Sequence, residues 1–129
     1  IGRWGRAVGQ QLLNDYEFSK GQNVKMKLSQ VEGDFAVAIQ LAPKNAYIYY
    51  NRGNLFAIEK NFKRAIDDYT RAITLDSRLA EAYYNRGLAR HYAGQDQEAL
   101  RDFSRAGELG LYDAYALSKK LSSNKSAKK

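Results

Sequence analysis

Apolar side chains return at helical spacing near both ends of the chain. Val24, Leu28, Val31, Phe35 and Ala38 recur every three or four residues and predict a helix over 24–41, with Gly33 as its weak point. Upstream, Trp4, Val8, Leu12 and Tyr16 recur every four residues and point to an earlier helix. Downstream, Ala114, Leu117 and Leu121 form a short stripe, so 114–121 reads as a helix whose apolar side covers whatever precedes it.

Between these segments the pattern repeats itself. The string YYNRG stands at 49–53 and again at 83–87. Laying 46–79 over 80–113 needs no gap and gives eleven identities in 34 positions, among them Tyr49/Tyr83, Asn51/Asn85, Gly53/Gly87, Ala65/Ala99 and Asp68/Asp102. A fixed period of this length marks a stacked repeat, in which one unit cannot bury its own apolar face. Each unit reads as two helices, 46–60 then 62–75, and 80–92 then 96–109, with Asn61 and Gly94 supplying the turns. Gly53 and Gly87 sit inside helices, where Gly costs about 1 kcal/mol against Ala. The expected compensation is a close helix approach opposite Ala65 and Ala99. The rings of Tyr49, Tyr69, Tyr83 and Phe103 would fill the space beside it, and Ala72 and Ala106 would face the next unit.

These residues resemble the tetratricopeptide repeat, a 34-residue helix–turn–helix unit. Its aromatic–x2–Leu–Gly–x2–aromatic stretch appears as Tyr49–x2–Arg52–Gly53–x2–Phe56 and as Tyr83–x2–Arg86–Gly87–x2–Arg90. Its Ala–x3–aromatic–x2–Ala stretch appears as Ala65/Tyr69/Ala72 and Ala99/Phe103/Ala106. Its closing Pro appears as Pro43, with Ser77 and Leu111 at the other two places. Arg52 and Arg86 replace the usual Leu, and Arg90 replaces an aromatic. The resemblance implies an all-α, right-handed helix–turn–helix solenoid. It would comprise two full repeats (46–79 and 80–113), a degenerate repeat before them (1–45) and a capping helix (114–121). Residues 1–121 would form one domain, and 122–129 a disordered basic tail.

The formal charge of +7 raises nucleic acid as a partner, but its distribution argues otherwise. Residues 46–113 carry ten Lys/Arg against ten Asp/Glu, whereas 114–129 carry five Lys and no acid. Nucleic acid is therefore disfavoured, with contact through the basic ends kept as an alternative. No apolar run approaches a membrane span. The chain has no cysteine, so it forms no disulfide and fits either redox compartment. A soluble chain is expected, with the cytoplasm favoured and the compartment left open. The chain begins at Ile1, so a piece of a longer protein is the expectation.

Catalytic chemistry finds few carriers. His91 is the single histidine, there is no Cys/His pair, and no His/Asp/Glu set has metal-ligand spacing. Asp67 lies four residues before Arg71, which predicts a helix-face ion pair rather than a carboxylate pair for acid–base work. No phosphate-cradling glycine motif exists. The expectation is a non-enzyme with no cofactor and no metal.

What the resemblance implies instead is a groove lined by the first helices of successive units. Its positions here are Tyr47, Tyr50, Asn51, Asn54 and Ile58 in one unit, and Glu81, Tyr84, Asn85, Leu88 and Tyr92 in the next. His91 stands nearby, and Tyr115 and Lys119 come from the cap. Tyr offers a rigid face with a polar tip, and Asn can bond both N–H and C=O of a peptide backbone. For Tyr50 and Tyr84, packing between units is the competing role. Some members of the family clamp a chaperone's C-terminal carboxylate with two Asn and three basic residues. Asn54 and Asn85 match the two Asn. Tyr50 and Tyr115 stand where two of the cations would be, and only Lys119 fits the third. Arg52 and Arg86 are expected to bridge to Asp68 or Asp102 across units. The partner implied is a protein or peptide, and self-assembly into a homo-oligomer is the structural alternative.

Overall fold

The computed structural model describes residues 29–127. The chain divides into two compact units, Ile1–Ala36 and Val37–Lys129. Residues 29–41 are helical (α1), 29–36 in the first unit and 37–41 in the second. Five further helices follow in the second unit: α2 (Ala46–Ile58), α3 (Phe62–Leu75), α4 (Ala80–Tyr92), α5 (Asp96–Glu108) and α6 (Tyr112–Ala127). Among the described residues there is no strand. The helix expected around Trp4, Val8, Leu12 and Tyr16, and residues 24–28 of the next, lie outside the described residues.

From α2 onward each helix packs on the next, α2 on α3, α3 on α4, α4 on α5 and α5 on α6. Three of the turns between them share one hydrogen-bond pattern. In each, the N–H of the third turn residue reaches back five residues: Asn61 to the Phe56 carbonyl (2.8 Å), Gln95 to Arg90 (2.7 Å) and Leu111 to Ala106 (3.0 Å). This backbone needs a left-handed residue in the middle of the turn, and Gly94 (φ 83°) and Gly110 (φ 105°) supply it without strain. In the first turn that position belongs to Lys60 (φ 63°), not to Asn61. Asn61 instead caps α3, its Oδ1 accepting from the Arg64 N–H at 3.4 Å.

The gapless period fails at the cap. Helix starts follow Asn45, Leu79 and Leu111. Asn45 and Leu79 are 34 residues apart, but Leu79 and Leu111 only 32, because α5 and α6 are joined by the tight turn used inside a hairpin. The α3–α4 connection is longer and leaves through Asp76 in an extended conformation. Consequently α6 begins two residues before the position that periodicity implies, and Ala114 takes the fully buried place that Ala82 holds in α4. The same helix runs to Ala127, so the segment expected as a disordered tail is helical over 122–127. Gly107 makes this closeness possible: a Cβ there would stand 2.8 Å from the Tyr115 Cβ and 3.0 Å from its Cα.

The core is built of small residues interleaved with rings. One cluster joins Ala46, Tyr49, Ala72, Leu79 and Ala82, with Ile39 and Ile73 against it. A second joins Phe56, Ala65, Tyr69 and Ala89. Ala72 from α3 and Ala89 from α4 thus both sit at the seam between the first hairpin and α4. The two glycines make room for rings rather than for the facing alanines alone. A Cβ on Gly53 would lie 2.7 Å from the Tyr69 ring. On Gly87 it would lie 2.6 Å from the Phe103 ring and 3.2 Å from the Ala99 carbonyl. Tyr69 and Phe103 are almost wholly buried, each contributing about 2–3 kcal/mol by area removed from water. Tyr49 and Tyr83 are tied by their hydroxyls to the Pro43 and Ser77 carbonyls of the preceding turns, both at 3.1 Å.

The arginines of YYNRG pair within a repeat, not between repeats. Arg52 grips Asp68 with two hydrogen bonds (2.7 and 2.8 Å), and Arg86 grips Asp102 likewise (2.9 and 2.7 Å). Both aspartates are buried, so the fork of each guanidinium satisfies a carboxylate that water cannot reach. Arg86 also reaches back to the preceding repeat, donating to Thr70 Oγ1 at 3.2 Å. Arg90 adds a second cation to Asp102 at 2.9 Å. Asp67 and Arg71, expected to pair along α3, form no ion pair; Arg71 lies over the Tyr49 ring, 5.8 Å from its centroid.

Candidate binding groove between α2 and α4

Because Gly53 admits the Tyr69 ring beneath α2, the Tyr69 hydroxyl emerges beside Asn54, one position further along. It donates to Asn54 Oδ1 at 2.5 Å. From α4, Asn85 Nδ2 donates to the same oxygen at 2.9 Å and to the Tyr50 hydroxyl at 3.1 Å. Four side chains from three helices are thereby locked together, and the link spans the two repeats. Burial pushes the Tyr69 phenol well above its ordinary pKa; Tyr50 and Asp68 add to the rise, and the nearby Asn85 amide opposes it. The hydroxyl therefore stays protonated and remains a donor.

This network borders an open cavity of about 730 Å³, lined by Asn54, Ala57, Ile58, Lys60, Phe62 and Tyr69 of one repeat and by Asn85, Leu88, Ala89 and Tyr92 of the next. That volume falls within the roughly 300–1,000 Å³ of sites that hold ligands. One wall is a stacked pair, Phe62 and Tyr92, with centroids 5.4 Å apart and planes 19° from parallel. Ile58 and Tyr92 are exposed at its edge. Lys60 is the one charged residue of the lining.

Of the positions anticipated for a groove, Asn54, Ile58, Asn85, Leu88 and Tyr92 come together here, with Tyr50 behind them in the network. Tyr47, Asn51 and Glu81 are exposed and line none of this cavity. Tyr84 is half-buried with its ring edge-on to Phe103 at 5.8 Å, a packing position. His91 Nδ1 pairs with Asp96 at 2.8 Å on the surface, its ring 5.7 Å from Tyr92. Lys119 lies over the ring of Tyr115 on its own helix, 5.3 Å from the centroid. The shortened turn also changes the cap's register: Asp113 and Leu117, not Tyr115 and Lys119, now follow Glu81 and Asn85. Sequence reasoning did not anticipate Ala57, Lys60, Phe62 and Ala89 in the lining, and gave Tyr69 to packing alone. The signal for Tyr69 lay in the exchange of Tyr69 for Phe103 alongside that of Asn54 for Leu88.

Helical hairpins stacked through small residues, with a groove between their first helices, define a helix–turn–helix solenoid. Residues 46–79 match the family model of the tetratricopeptide repeat. That stretch is therefore read as a tetratricopeptide repeat, and the chain as a whole is similar to domains built of such repeats. Among solved structures it is similar to the first such domain of Spaghetti (RPAP3) bound to HSP90 peptide SRMEEVD, with 24% identity, a TM-score of 0.70, and 91% of this chain and 94% of that one covered. It is similar to the Arabidopsis OM64 domain, with 29% identity, a TM-score of 0.67, and coverage of 81% and 88%. It is also similar to the second domain of human RPAP3 in complex with HSP70 peptide SGPTIEEVD, with 25% identity, a TM-score of 0.67, and coverage of 88% and 97%. The comparison with curated proteins gave no match.

Proposed function

We propose that the chain is a non-catalytic interaction module that docks a peptide or protein segment in the groove between α2 and α4. The observation that carries this reading is the apolar cavity between the two helices, open to solvent and flanked by amide side chains already held in place. Preorganised amides and a stacked aromatic wall are what an extended segment needs, since neither has to be ordered on binding. The human RPAP3 domain, described with a bound HSP70 peptide, supports the same use of the fold. Among the described residues no group of His, Cys, Asp and Glu is placed to hold a metal ion, and no helix is long and apolar enough to cross a membrane.

The test places a charge at the exposed edge of the groove, where the fold does not depend on it. Ile58→Glu and the parent chain, shown equal in helicity by circular dichroism, are used to capture partners from lysate. A partner held by the parent and lost by Ile58→Glu locates function in the groove. Equal capture by both would overturn the reading, and capture only of further copies of the chain would favour assembly instead.

A further inference from the structure

We infer that the groove reads an internal stretch of polypeptide, with one peptide unit on the Asn54–Asn85 pair and an apolar side chain in the cavity, and that it is built against a free terminal carboxylate. The inference rests on the groove reading above and narrows its ligand.

An asparagine side chain has one acceptor oxygen and one two-donor nitrogen. Asn85 Nδ2 uses both hydrogens, on Tyr50 and on Asn54 Oδ1. Asn54 Oδ1 is taken twice, by Asn85 and by Tyr69. What the pair leaves for a ligand is Asn54 Nδ2, a donor, and Asn85 Oδ1, an acceptor. Neither is a buried atom lacking a partner, so both edges are open to solvent. Turning both amides by 180° exchanges the roles but leaves the same two edges. The mutual bond always consumes one N–H and one oxygen, so one donor and one acceptor remain.

A secondary amide presents the complement, one C=O and one N–H. A carboxylate presents acceptors only, and would meet the remaining asparagine oxygen as an unpaired lone pair, a mismatch that costs more than the gained bond returns. The charges agree. Lys60 is the single cation of the lining. The cap's register brings Asp113 and Leu117 to the places following Glu81 and Asn85, an acid and an apolar residue. The remaining surface of the cavity is Ala57, Ile58, Phe62, Leu88, Ala89 and Tyr92, which suits an aliphatic or aromatic side chain and offers a second carboxylate nothing.

The experiment uses the whole chain against two phage-displayed libraries of short random peptides, one held at both ends and one ending in a free carboxylate. The expected result is enrichment from the doubly held library of peptides sharing an apolar residue. Synthetic versions with blocked ends should bind, weaken about tenfold on the double variant Asn54→Leu/Tyr69→Phe, and lose binding on Ile58→Glu. The HSP70 peptide SGPTIEEVD is the control, bound no better as the free acid than as its C-terminal amide. Enrichment only from the free-carboxylate library, with loss on amidation and on Ile58→Glu, would overturn the inference and leave the groove reading intact. Blocked peptides lost on Ile58→Glu but indifferent to Asn54→Leu/Tyr69→Phe would overturn the role of the asparagine pair. No enrichment from either library, or binding unchanged by Ile58→Glu, would overturn both readings.

Discussion

In repeat 46–79 the ring under the glycine ends in a hydroxyl; in repeat 80–113 it does not. Tyr69 meets Asn54, whereas the matching positions hold Phe103 and Leu88, with no polar atom at either. A few residues away the contrast reverses. Phe56 is a buried apolar ring with Arg52 and Arg64 over it, and its counterpart Arg90 brings a second charge onto Asp102. Beyond the buried Arg–Asp pair common to both repeats, one backbone thus carries its further buried polarity in two different places. The first repeat puts it at the groove, where α2 faces α4. The second puts it between α4 and α5, away from the cavity lining. The lesson is that shared positions such as Gly53/Gly87 and Ala65/Ala99 set the shape, while the positions that differ decide what the surface offers.

Removing a carboxylate should separate the repeats most. Asp102→Ala removes a carboxylate held by two guanidiniums, Arg86 and Arg90, while Asp68→Ala removes one bridged by Arg52. Urea denaturation should show a loss of about 3 kcal/mol for Asp102→Ala and distinctly less for Asp68→Ala. Equal losses would mean that the second arginine adds nothing to the burden on Asp102. The polar pair in the first repeat gives the next largest effect. Asn54→Leu alone strands the buried Tyr69 hydroxyl and should cost about 2 kcal/mol. Adding Tyr69→Phe, which copies the second repeat, should recover most of that loss. If it does not, the pair stabilises the first repeat in a way its counterpart cannot reproduce. The smallest effect concerns the turns. Lys60→Gly relieves a left-handed lysine and should gain about 0.5 kcal/mol, while Gly94→Lys should lose about 1 kcal/mol, both read from denaturation midpoints at constant slope.

The period of the sequence made the helical hairpins legible, because a 34-residue recurrence with small and large residues in step has few other physical explanations. It also singled out Arg52, Arg86, Asp68 and Asp102 as partners, but not the fact that each pair closes within its own repeat. Sixteen residues of separation place those side chains across one hairpin, and only the packed geometry shows it. Lys60 was missed because Asn61 has the composition of a turn residue, whereas the left-handed strain falls where the backbone pattern puts it. The groove was legible in part. Asn54 and Asn85 stand out as amides, yet their mutual bond joins non-equivalent positions of two repeats, which no overlay of one repeat on the other can reveal. The cap's register was out of reach for a related reason: a period extrapolated past its last full copy assumes the connection that α5 and α6 replace by a tighter one.

That tighter connection bears on how such an array can be lengthened by recombination. A duplicated segment spliced in at the α3–α4 junction, between Leu79 and Ala80, meets the same 34-residue spacing on both sides and inherits a compatible neighbour. Spliced in after Asp113, it would meet a helix already displaced by two positions, pressed against Gly107 through its own main chain. The molecule therefore has one seam that accepts new modules and one that refuses them, and the refusal is written in a single missing side chain.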